Sequence, residues 1–198
     1  MATGEDDGCR SKEQSSGRSI GVDRPDAADV EAAGRGDDAA FERIVRAMQG
    51  HVWRYVVHLL GDAALAEDVA QEVFLRVHRQ LGSLRDPARF VPWLLAIARN
   101  ASYDAGRARR RRPLELVGDR EIPTTAHSPD PHLALEVHDA LRQLDPDLHE
   151  AIVLVCLAGF TYDEAAEVLG TPAGTIKSRV FRARKRLMVL LEMGADHA

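Results

Sequence analysis

Apolar residues recur three or four positions apart in long stretches of this 198-residue chain, the spacing that places them on one face of an α-helix. The pattern predicts a helical region over about 27–61, a second helix over 63–80 and a third over about 90–110, which Pro113 ends. The residues expected to face inward are Phe41, Ile44, Val45, Met48, Val52, Tyr55, Val56, Leu59, Leu65, Val69, Val73, Phe74, Val77, Trp93, Leu94, Ile97 and Ala98.

The second half of the chain repeats this helical plan after a break. Residues 113–131 contain four prolines and little apolar pattern, and helical patterns resume over 132–144 and 146–158. The predicted fold class is all-α, with two small helical domains joined by a flexible linker that does not fix their orientation. The predicted divisions are a disordered acidic tail (1–28), a first domain (29–112), the linker (113–131), a second domain (132–192) and a tail (193–198).

The second domain contains the strongest local signal, the sequence TYDEAAEVLGTPAGTIKSRVFRARKR, which has the features of a helix-turn-helix. Thr161 and Glu164 form a capping box, and Gly170 is expected to end the first helix. Thr171 is expected to cap the second helix, with Pro172 at its first position. The small Ala165 is expected where the two helices cross, and the buried stripe of the second helix is expected to be Ile176, Val180, Ala183 and Leu187.

The opposite face of this second helix is basic and carries one aromatic residue. Such a face suits the major groove of DNA, although a solvated basic helix of an ordinary bundle is the simpler alternative. The residues that lie between the buried positions are Lys177, Ser178, Arg179, Phe181, Arg182, Arg184, Lys185 and Arg186.

The overall charge of −5 is unevenly distributed along the chain. Residues 99–112 carry a local charge of +5, and residues 171–187 carry +6, so the remaining residues must carry −16 to give −5 overall. Segregation of this kind lets an acidic protein bind DNA through its basic segments.

Other classes of protein find little support in the sequence. Cys156 lies in an apolar run and Cys9 in a polar tail, so we expect a buried reduced thiol, no disulfide, and a reducing cytoplasm. The eight histidines lack metal-ligand spacing, no apolar run reaches the length of a membrane span, and no phosphate-binding loop or nucleophile motif occurs. We therefore expect no metal, no cofactor and no enzymatic activity.

The first domain carries two polar surfaces. On the second helix, periodicity alone favours a solvated face for the outward strip Asp68, Gln71, Glu72, Leu75 and Arg76. The loop before the third helix, with its polar residues Ser83, Arg85, Asp86 and Arg89, can hold an extruded base of single-stranded DNA. Arg99, Asn100 and Tyr103 begin an arginine-rich helix end that can neutralise phosphates, whereas Trp93 is assigned to the core.

Three segments in register resemble bacterial RNA polymerase sigma factors of the extracytoplasmic-function (ECF) group: AEDVAQEVFLRVHR, RFVPWLLAIARNASYDAGRARRRR and LRQLDPDLHEAIVLVCLAGFTYDEAAEVLGTPAGTIKSRVFRARKRL. The resemblance covers roughly residues 29–191 and implies that the two domains are sigma regions two and four. It implies core RNA polymerase and promoter DNA as partners, and an anti-sigma factor as a further partner.

The resemblance also implies roles for individual residues. The strip on the second helix would face the clamp helices of the polymerase, and the loop residues, with Arg99 and Asn100, would capture the unpaired minus-ten element. Glu115, Asp119 and Glu121 of the linker would mimic nucleic-acid charge near the RNA exit path. The positions that would read the minus-thirty-five element are Lys177, Ser178, Phe181 and Arg182, while Arg179, Arg184 and Lys185 would serve phosphates or packing.

The main alternative is a stand-alone transcriptional regulator with a LuxR-like helix-turn-helix. It explains the C-terminal motif equally well. It leaves the arginine-rich third helix and the polar strip of the second helix without a role.

Overall fold

The computed structural model describes residues 24–111 and 131–195, and these residues form helices and turns with no strand among them. The helices are α1 (Ala27–Gly34), α2 (Asp38–Leu60), α3 (Ala63–Gln80), α4 (Phe90–Arg111), α5 (Pro131–Arg142), α6 (Pro146–Ile152), α7 (Tyr162–Leu169) and α8 (Ala173–Ala195). The predicted all-α class is confirmed. Cys9, most of the predicted acidic tail, and the linker residues Glu115, Asp119 and Glu121 lie outside the described residues.

The long helical region predicted over residues 27–61 is divided into α1 and α2. Gly36 adopts a φ of 95°, a conformation that side-chain-bearing residues rarely adopt, and this turns the chain between the two helices. Asp37 then caps α2, because its carboxylate accepts a hydrogen bond of 3.0 Å from the backbone N–H of Ala40. The bounds of α3 agree with the prediction, and the loop after it contains two 3₁₀ turns, Leu81–Ser83 and Pro87–Arg89.

The helix predicted over 146–158 ends earlier than expected. Regular α6 stops at Ile152, and Val153–Leu157 form a wider π turn in which the N–H of Ala158 donates to the carbonyl of Val153 at 2.8 Å. Widening the turn adds a residue to it, and Val153 and Leu154 remain buried.

Capping of the helix-turn-helix follows the prediction at three positions and differs at a fourth. Thr161 and Glu164 form the expected reciprocal capping box, and Gly170 ends α7 in a left-handed conformation. The prediction that the Thr171 side chain caps α8 is wrong: its hydroxyl is buried with no hydrogen-bond partner among the described residues. Pro172 takes the capping position instead, since its carbonyl accepts the first helical hydrogen bond from the N–H of Ile176 at 3.2 Å.

The first half of the chain packs its core between α2, α3 and α4. The predicted inward positions are buried or partly buried, and the partly buried residues other than Val45, Trp93 among them, pack against the core. Burying a large apolar side chain contributes roughly 1.5–3 kcal/mol, so this core supplies most of the stability of the three-helix unit. The side chains with no exposed surface include Ile44, Met48, Val52, Val73, Val77, Leu94 and Leu95.

The two halves of the chain are docked, which differs from the expectation of two units without a fixed orientation. Val153, Leu154 and Phe160 of the second half belong to the same hydrophobic cluster as the α2–α4 core. A continuous apolar contact of this kind orders the halves relative to one another whatever the linker does.

A polar stripe on α2 faces the second half across this contact. It consists of His51, Tyr55 and His58, spaced three or four residues apart, and Gly61, which ends the helix, follows in the same line. His51 Nδ1 donates to the carbonyl of Ala158 at 2.8 Å, and the Tyr55 hydroxyl donates to the carboxylate of Glu150 at 2.9 Å. Gly61 has a φ of 64°, a left-handed conformation that favours glycine, and a Cβ there would meet His138 Nε2 at 3.6 Å, an ordinary contact distance.

Protonation of the histidines in this contact is expected to weaken docking. Burial, with smaller contributions from His138, His149 and Arg54, lowers the pKa of His58 to about 4. Burial also lowers the pKa of His149. Because the docked form binds protons less well than a free histidine with a pKa of about 6.5, docking is strongest above pH 6.5 and weakens as the pH falls toward 4.

Titration of His58 alone is expected to make the fraction of chains with undocked halves about tenfold larger at pH 5.5 than at pH 7.5. Hydrogen exchange of the amides buried between the halves, corrected for intrinsic exchange rates, measures that population. The His58→Leu variant serves as the comparison because leucine does not titrate. An unchanged pH dependence in this variant would contradict the assignment to His58.

Candidate nucleic-acid and polymerase interfaces

The outward face of α8 gathers five of the residues singled out in the sequence. Their spacing of one, three or four residues places them on one side of the helix. All five side chains are exposed, and Phe181, at 70% exposure, is a large aromatic residue without core packing. The five residues are Lys177, Ser178, Phe181, Arg182 and Lys185. The predicted buried stripe is confirmed on the opposite side, where Ile176, Val180 and Ala183 are buried and Leu187 is partly buried.

Two other cations of α8 are held by the rest of the second half. Arg179 forms an ion pair of 2.5 Å with Asp147, and Arg184 Nη2 donates to Cys156 Sγ at 3.2 Å. The hydrogen bond with Cys156 raises the pKa of Arg184. Cys156 is partly buried rather than fully buried as expected, because its thiol lies in the π turn beside α8. These two arginines therefore pack against α6 and the π turn.

The outward strip of α3 is exposed as the periodicity requires. Asp68, Gln71 and Glu72 lie on the surface, and Leu75 is 60% exposed. Arg76 lies along the strip and forms an ion pair of 2.6 Å with Glu72. The strip thus combines charged residues with an apolar side chain that the protein itself does not bury.

A groove between α2 and α3 adjoins this strip and was not anticipated from the sequence. Its volume is about 960 Å³, and Gln71 and Leu75 belong to both the strip and the groove. The aromatic residues Phe41, Trp53 and Phe74 line it. The sequence pattern assigned Phe41 and Phe74 to the core, but both are only partly buried. Three large aromatic residues at the edge of an apolar stripe, Phe41, Trp53 and Phe74, are the signal that could have revealed the groove.

The loop before α4 has a defined shape. Ser83 Oγ donates to the carbonyl of Gln80 at 2.7 Å, and Asp86 accepts a hydrogen bond of 3.0 Å from the N–H of Ala88. Both side chains therefore shape the loop, while Arg85 and, on α4, Asn100 are exposed.

The remaining two residues of the predicted minus-ten set are engaged by the second half. Arg89 is paired with Glu167 of α7. Arg99 Nε and Nη2 donate to the two carboxylate oxygens of Glu150 on α6 at 2.6 and 3.1 Å. Docking therefore covers part of the surface that the sequence assigns to single-stranded DNA.

Glu150 is the centre of this contact and was missed by the sequence analysis. Its side chain is only 7% exposed, and Tyr55 and Tyr103 donate to it along with Arg99. Burial raises the pKa of Tyr55 and of Tyr103, and the hydrogen bond with Glu150 raises the pKa of Arg99. No local motif marks Glu150, because its partners lie 47–95 residues away in the sequence.

Comparison with known proteins agrees with this architecture. The family model for sigma-70 region 2 matches residues 44–112, and the model for sigma-70 region 4 matches residues 134–187. The chain is 35% identical over 173 residues to the RNA polymerase sigma-H factor of Pseudomonas aeruginosa, covering 80% of this chain and 89% of that protein. It is 40% identical over 162 residues to the ECF RNA polymerase sigma factor SigC of Mycobacterium tuberculosis, covering 79% of this chain and 86% of that protein.

Two solved structures resemble the fold. The structure of CnrH in complex with the cytosolic domain of CnrY aligns with a TM-score of 0.68 at 26% identity, covering 85% of this chain and 98% of CnrH. The sigma factor RpoE of Bartonella quintana, crystallised with the anti-sigma factor NepR, aligns with a TM-score of 0.63 at 31% identity, covering 77% of this chain and 96% of that one.

A helix-turn-helix with an exposed basic face, joined to a helical unit that matches region 2, defines a bacterial transcription initiation factor. The chain belongs to the sigma-70 family and to its ECF group. It binds core RNA polymerase and directs it to promoters. Within residues 24–111 and 131–195, none of the helices combines the length and the apolar character needed to cross a membrane.

Loss of Arg99 is expected to destabilise the folded chain by about 2–3 kcal/mol, because Glu150 would keep a buried carboxylate without its cation. This expected loss of stability is smaller than the loss for a fully buried ion pair because Arg99 is 33% exposed. Urea denaturation of Arg99→Ala measures the loss. The control is Arg46→Ala, whose partner Glu42 is exposed and whose loss is expected to cost about 0.5 kcal/mol or less. Equal losses in the two variants would show that the buried pair stabilises the fold no more than the exposed pair does.

Proposed function

We propose that promoter recognition by this ECF sigma factor is divided between two units, residues 29–112 and residues 132–192. The observation that supports the second assignment most directly is the single exposed face of α8 formed by Lys177, Ser178, Phe181, Arg182 and Lys185. A helix that presents cations and one aromatic residue outward, as the second helix of a helix-turn-helix, suits insertion into the major groove.

The roles proposed within α8 differ by position. Lys177, Ser178, Phe181 and Arg182 read the minus-thirty-five element, and Lys185 contacts phosphate farther along the helix. Arg179 and Arg184 combine phosphate contact with the packing described above, since Asp147 and Cys156 orient them.

The first unit is proposed to carry both the polymerase contact and the minus-ten contact. Its strip on α3 binds the clamp helices of the polymerase, and the exposed Leu75 supports this because an unburied apolar side chain within a polar strip suits a protein interface. The minus-ten element is bound by Ser83, Arg85, Asp86, Arg89, Arg99 and Asn100.

The remaining assignments concern partners and setting. We infer an anti-sigma factor as a partner, because the similar sigma factor RpoE was crystallised with one. We assign catalysis to the polymerase and no catalytic step to this chain. We infer a cytoplasmic location because core polymerase and promoter DNA are found in the cytoplasm. A stand-alone helix-turn-helix regulator is not favoured, because this alternative gives no role to the residues that match sigma region 2.

The double variant Gln71→Ala/Glu72→Ala is expected to weaken binding to core polymerase by about 1–2 kcal/mol while leaving the fold intact, because both side chains point outward. Binding of labelled full-length chain to core polymerase measures the change. Glu42→Ala is the matched control, since it breaks the same kind of exposed ion pair, four residues apart, as the loss of Glu72 does. Unaltered binding of the double variant would show that the interface lies elsewhere.

Arg182→Ala and Lys185→Ala are expected to have different effects on promoter binding. A guanidinium at Arg182 can form two hydrogen bonds to a guanine edge, so its loss should remove roughly 1–3 kcal/mol of discrimination at one or two base pairs. Loss of Lys185 should weaken all sequences about equally and lower the salt slope by roughly one unit. The measurement is binding of the reconstituted holoenzyme to matched and mutated duplexes over a range of salt concentrations. The same uniform loss in both variants would make Arg182 a phosphate contact.

A further inference from the structure

Three hydrogen-bond donors of the first half converge on a single carboxylate of the second. Arg99 donates to both oxygens of Glu150, through Nε at 2.6 Å and Nη2 at 3.1 Å. The Tyr55 hydroxyl donates to one oxygen at 2.9 Å, and the Tyr103 hydroxyl to the other at 3.2 Å. Each carboxylate oxygen therefore accepts two hydrogen bonds, in a position with 7% exposure.

The donors and the acceptor come from different parts of the molecule. Tyr55 lies on α2, and Arg99 and Tyr103 lie one turn apart on α4. The helices α2 and α4 pack together in the first half. The guanidinium of Arg99 also lies 5.0 Å from the centre of the Tyr103 ring, which helps to orient it. The donor set is therefore built by the first half alone, whereas the anion that fills it belongs to α6.

The chemistry of the donor set is that of a phosphate site. The guanidinium fork binds a carboxylate and a phosphate with the same two parallel hydrogen bonds. The two tyrosine hydroxyls, whose ordinary pKa is about 10, keep their protons at neutral pH and therefore remain donors when Glu150 leaves the site. A site with one cation, two hydroxyl donors and no acidic side chain among its three members favours an anion.

We propose that Tyr55, Arg99 and Tyr103 form a binding site for a backbone phosphate of single-stranded promoter DNA, and that Glu150 occupies this site while the two halves are docked. The inference rests on the proposed role of the first unit in binding the unpaired minus-ten strand. It adds Tyr55 and Tyr103 to that surface and gives Glu150 the role of a competing anion.

The surroundings favour a single strand as the occupant. Asn100 follows Arg99 on α4 and is exposed, so an amide that can bond a base edge lies beside the phosphate site. Arg89, in the loop assigned to the unpaired strand, is likewise paired with a carboxylate of the second half, Glu167. Two cations of one predicted DNA surface are thus both neutralised by the same docking event.

Docking and DNA binding at this site exclude one another, because one anion fills the donor set at a time. Glu150 is covalently linked to the first half, so it competes at a high effective concentration. The free chain should therefore bind single-stranded DNA weakly, and binding should strengthen when the charge on Glu150 is removed.

The test uses the full chain without polymerase and a fluorescent, mixed-sequence single strand of about 12 nucleotides, since a phosphate contact does not depend on sequence. Glu150→Gln, which keeps the shape and removes the charge, is expected to bind at least about tenfold more tightly than the unaltered chain. Glu42→Gln makes the same change of charge on an exposed side chain of α2 and should leave the affinity nearly unchanged. Equal affinities of Glu150→Gln and the unaltered chain would overturn the proposal.

Second variants separate the phosphate site from mere opening of the contact. In the Glu150→Gln background, Arg99→Gln should remove most of the gain and lower the salt slope by about 0.7, the value for one phosphate on a single strand. Tyr103→Phe should lose about threefold to tenfold in affinity, because it removes one hydrogen bond to the phosphate. If neither change reduces the affinity of Glu150→Gln, then Glu150 only holds the halves together and the phosphate site is refuted.

Run-off transcription with core polymerase distinguishes this inference from the proposed function. An unaltered chain that supports no transcription from any promoter in a library would contradict the function. A chain that transcribes normally, while Glu150→Gln gains no affinity for the single strand, would contradict only the phosphate site.

Discussion

The buried carboxylate of Glu150 is the constraint on which the arrangement of the two halves depends. A charge that is almost fully removed from water is tolerated only when it is paired and hydrogen-bonded, and all of the donors seen at Glu150 come from the other half of the chain. Separation of the halves would therefore return Glu150 to water and leave the Arg99 guanidinium without its carboxylate partner. This links the conformation of the protein directly to the electrostatics of its DNA surface.

The same logic extends along the contact between the halves. Arg89 pairs with Glu167, and Arg24, ahead of α1, pairs with Glu164 of α7 at 3.0 Å. Acidic residues of α6 and α7 thus meet cations of the first half, while the outward face of α8 stays exposed. The net charge of −5 is compatible with DNA binding because the acids and the cations are segregated, and docking brings some of them together.

Local structure could be predicted from the sequence where it depends on short-range interactions. The bounds of α3, the capping box at Thr161 and the buried stripe of α8 follow from periodicity and from contacts within a few residues. The division at Gly36 and the π turn after α6 were missed. At the π turn, the run of apolar residues 152–157 continues across the irregularity, so the pattern alone does not reveal how the backbone turns. At Gly36, residues 34–38 interrupt the apolar pattern with two glycines and three charged residues, and this signal was available in the sequence.

The sequence by itself determined the class of fold, the family, and which side chains share the exposed faces of α3 and α8, because helical periodicity fixes those faces without reference to the rest of the molecule. The tertiary structure alone decided that Tyr55, Arg99 and Tyr103 meet at Glu150, and that the groove between α2 and α3 stays open. Residues as far apart as Tyr55 and Glu150, 95 positions in sequence, carry no local signal of their contact. Only packing of the two halves brings these groups together, and the need to neutralise a buried charge explains why they meet as they do.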